Sequence, residues 1–332
     1  MPQPLEPIAR LAIEEFDLDR IASGTKERLW LECFSGLTGP VALPALVVKG
    51  AGSGPTLLVT AGVHGNEFEG MEAIRRFFEG LSPGEMRGAF VGLPVCNPLA
   101  YCGMSRVTPA FVDGINLART FPGRADGLPT ERLAHALFTF ATRLLGAEDL
   151  FVDLHSGSHE CEYAPMVGYR AVDNPARALS ERAARHFGIG RLWELPPGAV
   201  TFNGAVAGAG IPTVGTEVTG LGGLRPEDVA LYERGLLSLA RLWGILPGEP
   251  EPAVTGPARR TTQVIAAGSG LFRSAVQRIG ERVEAGERLG DIVDPFGRAV
   301  AEVVAPAAGE VWALRRFGTA WAGDYVALIA VD

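Results

Sequence analysis

Cysteine, lysine, net positive charge and long apolar runs are all scarce in this 332-residue sequence. The four cysteines are Cys33, Cys96, Cys102 and Cys161, and no two form a CxxC pair. Cysteines this few and unpatterned exclude a disulfide framework and read as reduced thiols. A chain of this length buries a sufficient core without disulfides or a structural metal. Acidic residues outnumber basic ones, 38 to 30, for a net charge of −8. Nucleic-acid binding draws on a dense basic surface, so no nucleic-acid partner is expected. No apolar run approaches the roughly 20 residues of a membrane helix, so no membrane association is expected either. The stretch Met1–Arg20 is acidic and interrupted, unlike a signal peptide, and the expectation is a cytoplasmic protein. Hydrophobic residues make up 47%, which excludes a disordered or collagen-like chain.

What is present is an alternation of strand and helix signals. Pro55–Ala61, Ala89–Val95, Asp149–Leu154 and Pro212–Val218 are short apolar runs with β-branched residues, the pattern of buried strands. Between them, Pro129–Leu145 starts with a proline suited to a first helical turn and stops at Gly146. Pro226–Leu246 places Val229, Tyr232, Leu236, Leu239 and Trp243 on one helical stripe. A second helix-like stretch covers Asn66–Phe78. This order predicts an α/β fold, a mixed sheet flanked by helices. Leu246–Arg260 holds four prolines and two glycines with no periodic pattern, and marks a break. The predicted organisation is a catalytic domain over 1–248, a linker over 249–260 and a small all-β domain over 261–332.

In that last segment glycines recur and strands are short. Arg282–Asp294 resembles Thr319–Asp332, 37 residues on, which suggests a duplicated β unit. The segment resembles the half-barrel modules of biotinyl and lipoyl carriers. Those carriers need a lysine at a hairpin tip, and the only lysines here are Lys26 and Lys49. The expected role is therefore structural: packing beside the catalytic domain, shaping its pocket or joining subunits of a homo-oligomer.

The chemistry-bearing segment is Thr60–Gly70, TAGVHGNEFEG. His64 and Glu67 follow an apolar strand run, and the C-terminal end of a strand in an α/β sheet is where ligand sites form. A turn there can aim an imidazole and a carboxylate at one point, and both are good zinc ligands. HxxE alone is equally a surface histidine beside a solvated glutamate. Phe151–Ser158, FVDLHSGS, supplies the missing partner: His155 ends another buried strand run. Two histidines and a glutamate form an established catalytic zinc set that leaves a position open for water. Asp153 lies two residues earlier, on the same strand face, where it can accept a hydrogen bond from a ligand imidazole.

HGNE, the Asn116–Gly123 segment NLARTFPG, DLHSG and the later TEVTG together resemble the succinylglutamate desuccinylase/aspartoacylase family of the zinc carboxypeptidase-like superfamily. The resemblance runs from about residue 45 to 245, with the motifs in the family's order. It implies His64, Glu67 and His155 as ligands of one zinc ion, and a water activated by that zinc attacking an amide carbonyl. It implies Glu217, in PTVGTEVTG, as the general base that later protonates the leaving nitrogen. Arg106, in NPLAYCGMSR, would polarise the scissile carbonyl and hold the developing oxyanion. Arg119 would grip a substrate carboxylate through its planar fork. The implied substrate is a small N-acylated amino acid or diamine; family substrates include N-acetylaspartate and N-succinylglutamate, and an N-acetyl-diaminobutyrate deacetylase is related.

One position departs from the family pattern. An asparagine usually precedes the carboxylate-binding arginine; here that residue is Ala118, which offers no side-chain donor, and Asn116 is two residues earlier. Asn116 is the candidate to take its place in substrate binding. Of the remaining histidines, His135 and His186 read as structural or surface residues, and His159 as a candidate pocket residue. Two alternatives stay open: a metallocarboxypeptidase acting on peptide C-termini, and a zinc-containing binding or sensor protein without turnover. Glu217 and Arg106 argue against the second, since binding alone needs neither a base nor an oxyanion holder.

Overall fold

A computed structural model describes residues 7–198 and 200–332. The N-terminal part contains strands β1 (Ala9–Ala12), β2 (Thr25–Ser35), β3 (Pro40–Lys49), β4 (Gly52–Thr60) and β5 (Arg87–Leu93). Strands β6 (Leu150–Ser156), β7 (Cys161–Tyr163), β8 (Met166–Arg170), β9 (Leu192–Leu195) and β10 (Thr213–Val218) follow. The helices are α1 (Glu69–Gly80), α2 (Pro98–Cys102), α3 (Pro129–Leu144), α4 (Ala176–His186), α5 (Phe202–Gly208) and α6 (Pro226–Leu242). No helix among the described residues is long and apolar enough to cross a membrane.

Nine of these strands form one mixed sheet in the order β1-β2-β3-β5-β4-β6-β10-β8-β9. Its centre, β5-β4-β6-β10, is parallel. The apolar runs are continuous rather than alternating because helices cover both faces. Along β4, Leu57 and Val59 join a core under α1, α4 and α6, whereas Leu58 joins a core under α3 and α5. Along β6, Leu150, Val152 and Leu154 go one way and Phe151 the other. Each such fully buried side chain contributes about 1.5–3 kcal/mol relative to exposure. The predicted α/β class and its four strand runs hold.

Two helix boundaries shift. The predicted stripe of α6 is buried at Val229, Tyr232, Leu236 and Leu239, but the helix stops at Leu242 rather than Leu246. Gly244, at φ +69°, turns the chain out in the left-handed conformation that ends helices. The stretch expected to be helical from Asn66 becomes helical only at Glu69. Residues 63–68 form a turn instead, which matters for the site.

After α6, the proline-rich segment forms no helix or strand but is fastened to the N-terminal part. Val254 N donates to Arg185 O at 2.8 Å, and Arg259 N to Leu192 O at 2.9 Å. Beyond it lie β11 (Thr261–Ile265), β12 (Gly270–Ser274), β13 (Arg282–Val283), β14 (Arg288–Val293), β15 (Ala299–Val304), β16 (Gly309–Arg315), β17 (Thr319–Ala320) and β18 (Tyr325–Val331). These make two small sheets around their own core. The repeat seen in sequence is a repeat of shape: β13–β14 and β17–β18 are each a two-residue strand, a turn at a left-handed glycine (Gly286, Gly323) and a long strand. Strand β7 leaves the large sheet's vicinity to pair with β16, tying the two parts together.

Candidate metal centre

His64, Glu67, His155 and Glu217 all emerge at the C-terminal edge of the parallel strands. His64 and Glu67 follow β4, His155 lies near the end of β6, and Glu217 near the end of β10. The turn before α1 is packed closely against α2. A Cβ on Gly65 would meet the carbonyl carbon of Ala100 at 2.1 Å and the nitrogen of Tyr101 at 2.2 Å. Only glycine lets HGNE press against α2, which Asn97 caps by accepting from Ala100 N at 3.0 Å. The contact leaves His64 and Glu67 each 3% exposed.

The ligand atoms of His64, Glu67 and His155 all lie within 4.8 Å of one another, a grouping no other His, Cys, Asp or Glu set matches among the described residues. Glu67 Oε1 sits 2.8 Å from His64 Nδ1, and Glu67 Oε2 sits 3.0 Å from His155 Nδ1. Neither ring nitrogen of His64 makes a hydrogen bond, despite that short separation. A buried imidazole left without a hydrogen bond, beside a carboxylate and a second imidazole, is what a shared cation would satisfy, so the residues fit a zinc ion. The charge states of His64 and Glu67 suit metal ligation. Burial, helped by the neighbouring Arg106 charge, lowers His64 to about 4, so its ring is neutral. Burial raises the Glu67 carboxyl, but His64, His155 and Arg106 outweigh it and hold the group well below the usual carboxylate range.

The outer contacts fix these groups. His155 Nε2 lies 3.2 Å from Asp153 Oδ2, the partner expected from sequence. Thr60 Oγ1 donates to Asp153 Oδ1 at 2.9 Å. Tyr232 OH donates to the His155 carbonyl. Ser156 N donates to Glu67 Oε2 at 3.2 Å. Asn66 Nδ2 bonds His159 Nδ1 at 2.7 Å, so His159 buttresses the turn from outside the cavity wall.

A cavity of about 640 Å³ opens over this cluster, lined by His64, His155, Glu217, Arg106, Asn116 and Arg119 among others. Glu67 and His159 apart, every site residue singled out from sequence thus reaches one space, Asp153 included, and Ala118 lines it too; the expectation that His159 is a pocket residue is not met, because its ring is turned to Asn66. Arg106 Nη1 lies 2.6 Å from Glu67 Oε1. Burial pushes the Glu217 carboxyl up to about 8, and its Oε2 has no partner. The Asn116 Oδ1 is occupied as a cap, accepting from Ala118 N at 3.0 Å in the 3-10 turn Leu117–Arg119. A smaller cavity of about 290 Å³, between α3 and the N-terminal strands, contains His135 and Cys33 but no such cluster.

The sequence model of the succinylglutamate desuccinylase/aspartoacylase catalytic domain matches residues 53–243. The chain belongs to that family. It is an enzyme of the deacylase kind. A curated relative, the N-alpha-acetyl-L-2,4-diaminobutyric acid deacetylase of Halomonas elongata, is 33% identical over 88% of this chain and 86% of its own. A solved succinylglutamate desuccinylase/aspartoacylase from Rhodobacter sphaeroides is 32% identical with a TM-score of 0.82, covering 96% of this chain and 98% of that one. The product-bound ectoine utilization protein EutE (DoeB) of Ruegeria pomeroyi is 28% identical, also with a TM-score of 0.82, covering 94% and 98%. In this family member the cavity has a wall that sequence reasoning missed. Tyr163 of β7 and Arg315, Asp324 and Tyr325 of the C-terminal part close it, as does Arg170 at the end of β8. Arg170 carried a signal, a charge at the end of the apolar run MVGYR; the tyrosines carried none.

Proposed function

We propose that the chain is a zinc-dependent amidohydrolase that removes a short acyl group, acetyl or succinyl-like, from a small N-acylated amino acid or diamine. The observation that carries this reading is the convergence of His64, Glu67 and His155 with an unpartnered Glu217 carboxylate in one cavity. His64 Nδ1 or Nε2, a Glu67 oxygen and His155 Nδ1 would hold the ion. When bound, zinc supplies Lewis acidity that makes water nucleophilic near neutral pH and polarises an amide carbonyl.

The chain's own groups do the rest. Glu217 Oε2 takes a proton from the attacking water and delivers it to the leaving nitrogen, because an amine leaves poorly unless protonated. The raised affinity of the buried Glu217 for protons suits that exchange. Arg106 places fixed positive charge beside the site, where it offsets the charge that develops on the carbonyl oxygen. Asp153 holds the His155 ring in the tautomer that turns Nδ1 toward the site. Arg119 and Asn116 face the amine half of the substrate. Division into 1–248, a strap over 249–260 and a lysine-free β domain over 261–332 fits this reading, with the β domain as a wall of the cavity. A cytoplasmic location accords with four unpaired cysteines.

The test is a panel of N-acetyl and N-succinyl amino acids and diamines beside peptides with free C-termini, each with zinc and with chelator. Chelator-sensitive release of amine from the N-acyl compounds is expected. Cleavage of the peptides in preference makes the chain a carboxypeptidase, and bound zinc with no hydrolysis makes it a binding protein.

A further inference from the structure

Asp153 holds the His155 ring, and its place in the sheet decides what can hold Asp153. Its register partners are Thr60 on β4 and Gly215 on β10. Thr60 reaches it directly, donating Oγ1 to Asp153 Oδ1 at 2.9 Å. Gly215 has no side chain to offer, and Asn203 of α5 takes that place. Asn203 Nδ2 donates to Asp153 Oδ2 at 3.4 Å, the same oxygen that faces His155 Nε2 at 3.2 Å. A Cβ on residue 215 would meet Asn203 Nδ2 at 2.6 Å, so the glycine is what admits the amide.

The amide of Asn203 cannot turn over. Its Oδ1 accepts from Arg170 Nε at 3.1 Å, Arg170 Nη2 at 2.9 Å and Thr201 Oγ1 at 3.0 Å. Three donors on that side demand the carbonyl oxygen, so the NH₂ group is left to face Asp153. The donors are themselves fixed. Thr201 caps α5 by accepting from Gly204 N at 3.1 Å, and Arg170 Nη1 donates to Pro196 O at 3.1 Å. Asn203 is 9% exposed, so these bonds form largely out of water.

A neutral donor does something here that a charged one would not. A guanidinium placed directly on Asp153 would draw the carboxylate into an ion pair of its own. The amide stands between Arg170 and Asp153 instead. It orients the carboxylate and leaves the negative charge to the imidazole. Both oxygens of Asp153 are thus pinned by neutral donors, one from each side of its strand.

We propose that Asn203 is a positioning residue for the metal centre: acting through Asp153, it fixes the ring of His155, and Gly215 is the small residue that lets it do so. This rests on the zinc reading above. Zinc affinity is measured by competition with a chromophoric chelator for the full-length wild type, Asn203→Ala, Asp153→Ala and the double variant, beside the melting temperature of each metal-free protein. Asn203→Ala is expected to weaken zinc binding about 3–10-fold, the range of one modest hydrogen bond. In the Asp153→Ala background the same change is expected to alter affinity by less than about twofold, because its route to His155 is already cut. The melting temperature should fall by a similar amount in both backgrounds, since the acceptor lost to Arg170 does not act through Asp153. Equal losses of affinity in both backgrounds, or none in either, overturn the proposal while leaving the zinc site intact; a wild type that binds no zinc removes both. Should Asn203→Ala not fold, Gly215→Ala decides, because it displaces the amide and removes no polar group. It is expected to lose about the same factor in zinc affinity with Asp153 present and almost nothing with Asp153→Ala. Unchanged affinity in Gly215→Ala, or an equal loss in both backgrounds, ends the proposal.

Discussion

Glu217 and His155 are register partners across the parallel ladder of β10 and β6. Partners in a parallel pair project to the same face, so the carboxylate of one strand emerges beside the imidazole of the next. That relationship puts a base and a metal ligand at one edge without any loop having to position them. Glu217→Gln keeps the shape and removes the base. Zinc content should stay at the wild-type level while kcat falls by about 10²–10⁴-fold. Near-normal turnover in that variant would take Glu217 out of the mechanism.

The same substitution should stabilise the metal-free protein in alkaline solution. Burial raises the Glu217 carboxyl from 4.5 to about 8 in the folded chain. Between those values the folded state holds a proton that the unfolded state has released, so stability falls as pH rises. Below the lower value both states are protonated and the penalty disappears. Glu217→Gln should therefore raise the metal-free melting temperature most at pH 8–9 and hardly at all near pH 4. A pH-independent gain would contradict the assignment.

His155 competes with metal for its proton. Burial disfavours the imidazolium, but Asp153 and Glu67 outweigh burial and raise its pKa well above the ordinary value. Zinc binding at neutral pH should thus release about one proton per ion, readable by calorimetry in buffers of different ionisation enthalpy. Asp153→Asn should weaken zinc binding by about 10–100-fold. Unchanged affinity would mean that the Asp153 contact does not orient the ligand.

Trp312 is 1% exposed in a cluster with Met166, Ala313, Leu328 and Ala330, which joins β8 of the catalytic part to the C-terminal sheet. Trp312→Ala should cost about 3–5 kcal/mol in denaturant unfolding. Because Tyr163 and Tyr325 pack on that cluster and wall the cavity, KM should rise as well. A stability loss with unchanged KM would show that the β domain only props the fold.

Much of this was legible in the residues. The four buried strands read out because a sheet covered on both faces writes continuous apolar runs. His64 and His155 were visible for a related reason: each follows or ends such a run, where a polar residue stands out; Glu217 also ends one, but its role was implied by the family resemblance. The delayed start of α1 was not legible. The helix-like pattern begins at Asn66, whereas the packing of Gly65 on Ala100 and Tyr101 joins residues far apart in the chain. Nor could the sequence place Arg170 beside Asn203, or Tyr163 beside Ala313, since these pairings join residues far apart in the chain. Ala118 was visible as a gap in a pattern; that Asn116 spends its oxygen on a backbone cap, and that further arginines line the same space, follows only from the fold.

Elemental analysis of the full chain purified with zinc supplied tests the central claim most directly. The arrangement of His64, Glu67 and His155 predicts about one zinc per chain in the wild type, and loss of that zinc together with deacylation in His155→Ala. A wild type without tightly bound metal, or a His155→Ala variant that keeps full occupancy, would contradict the site.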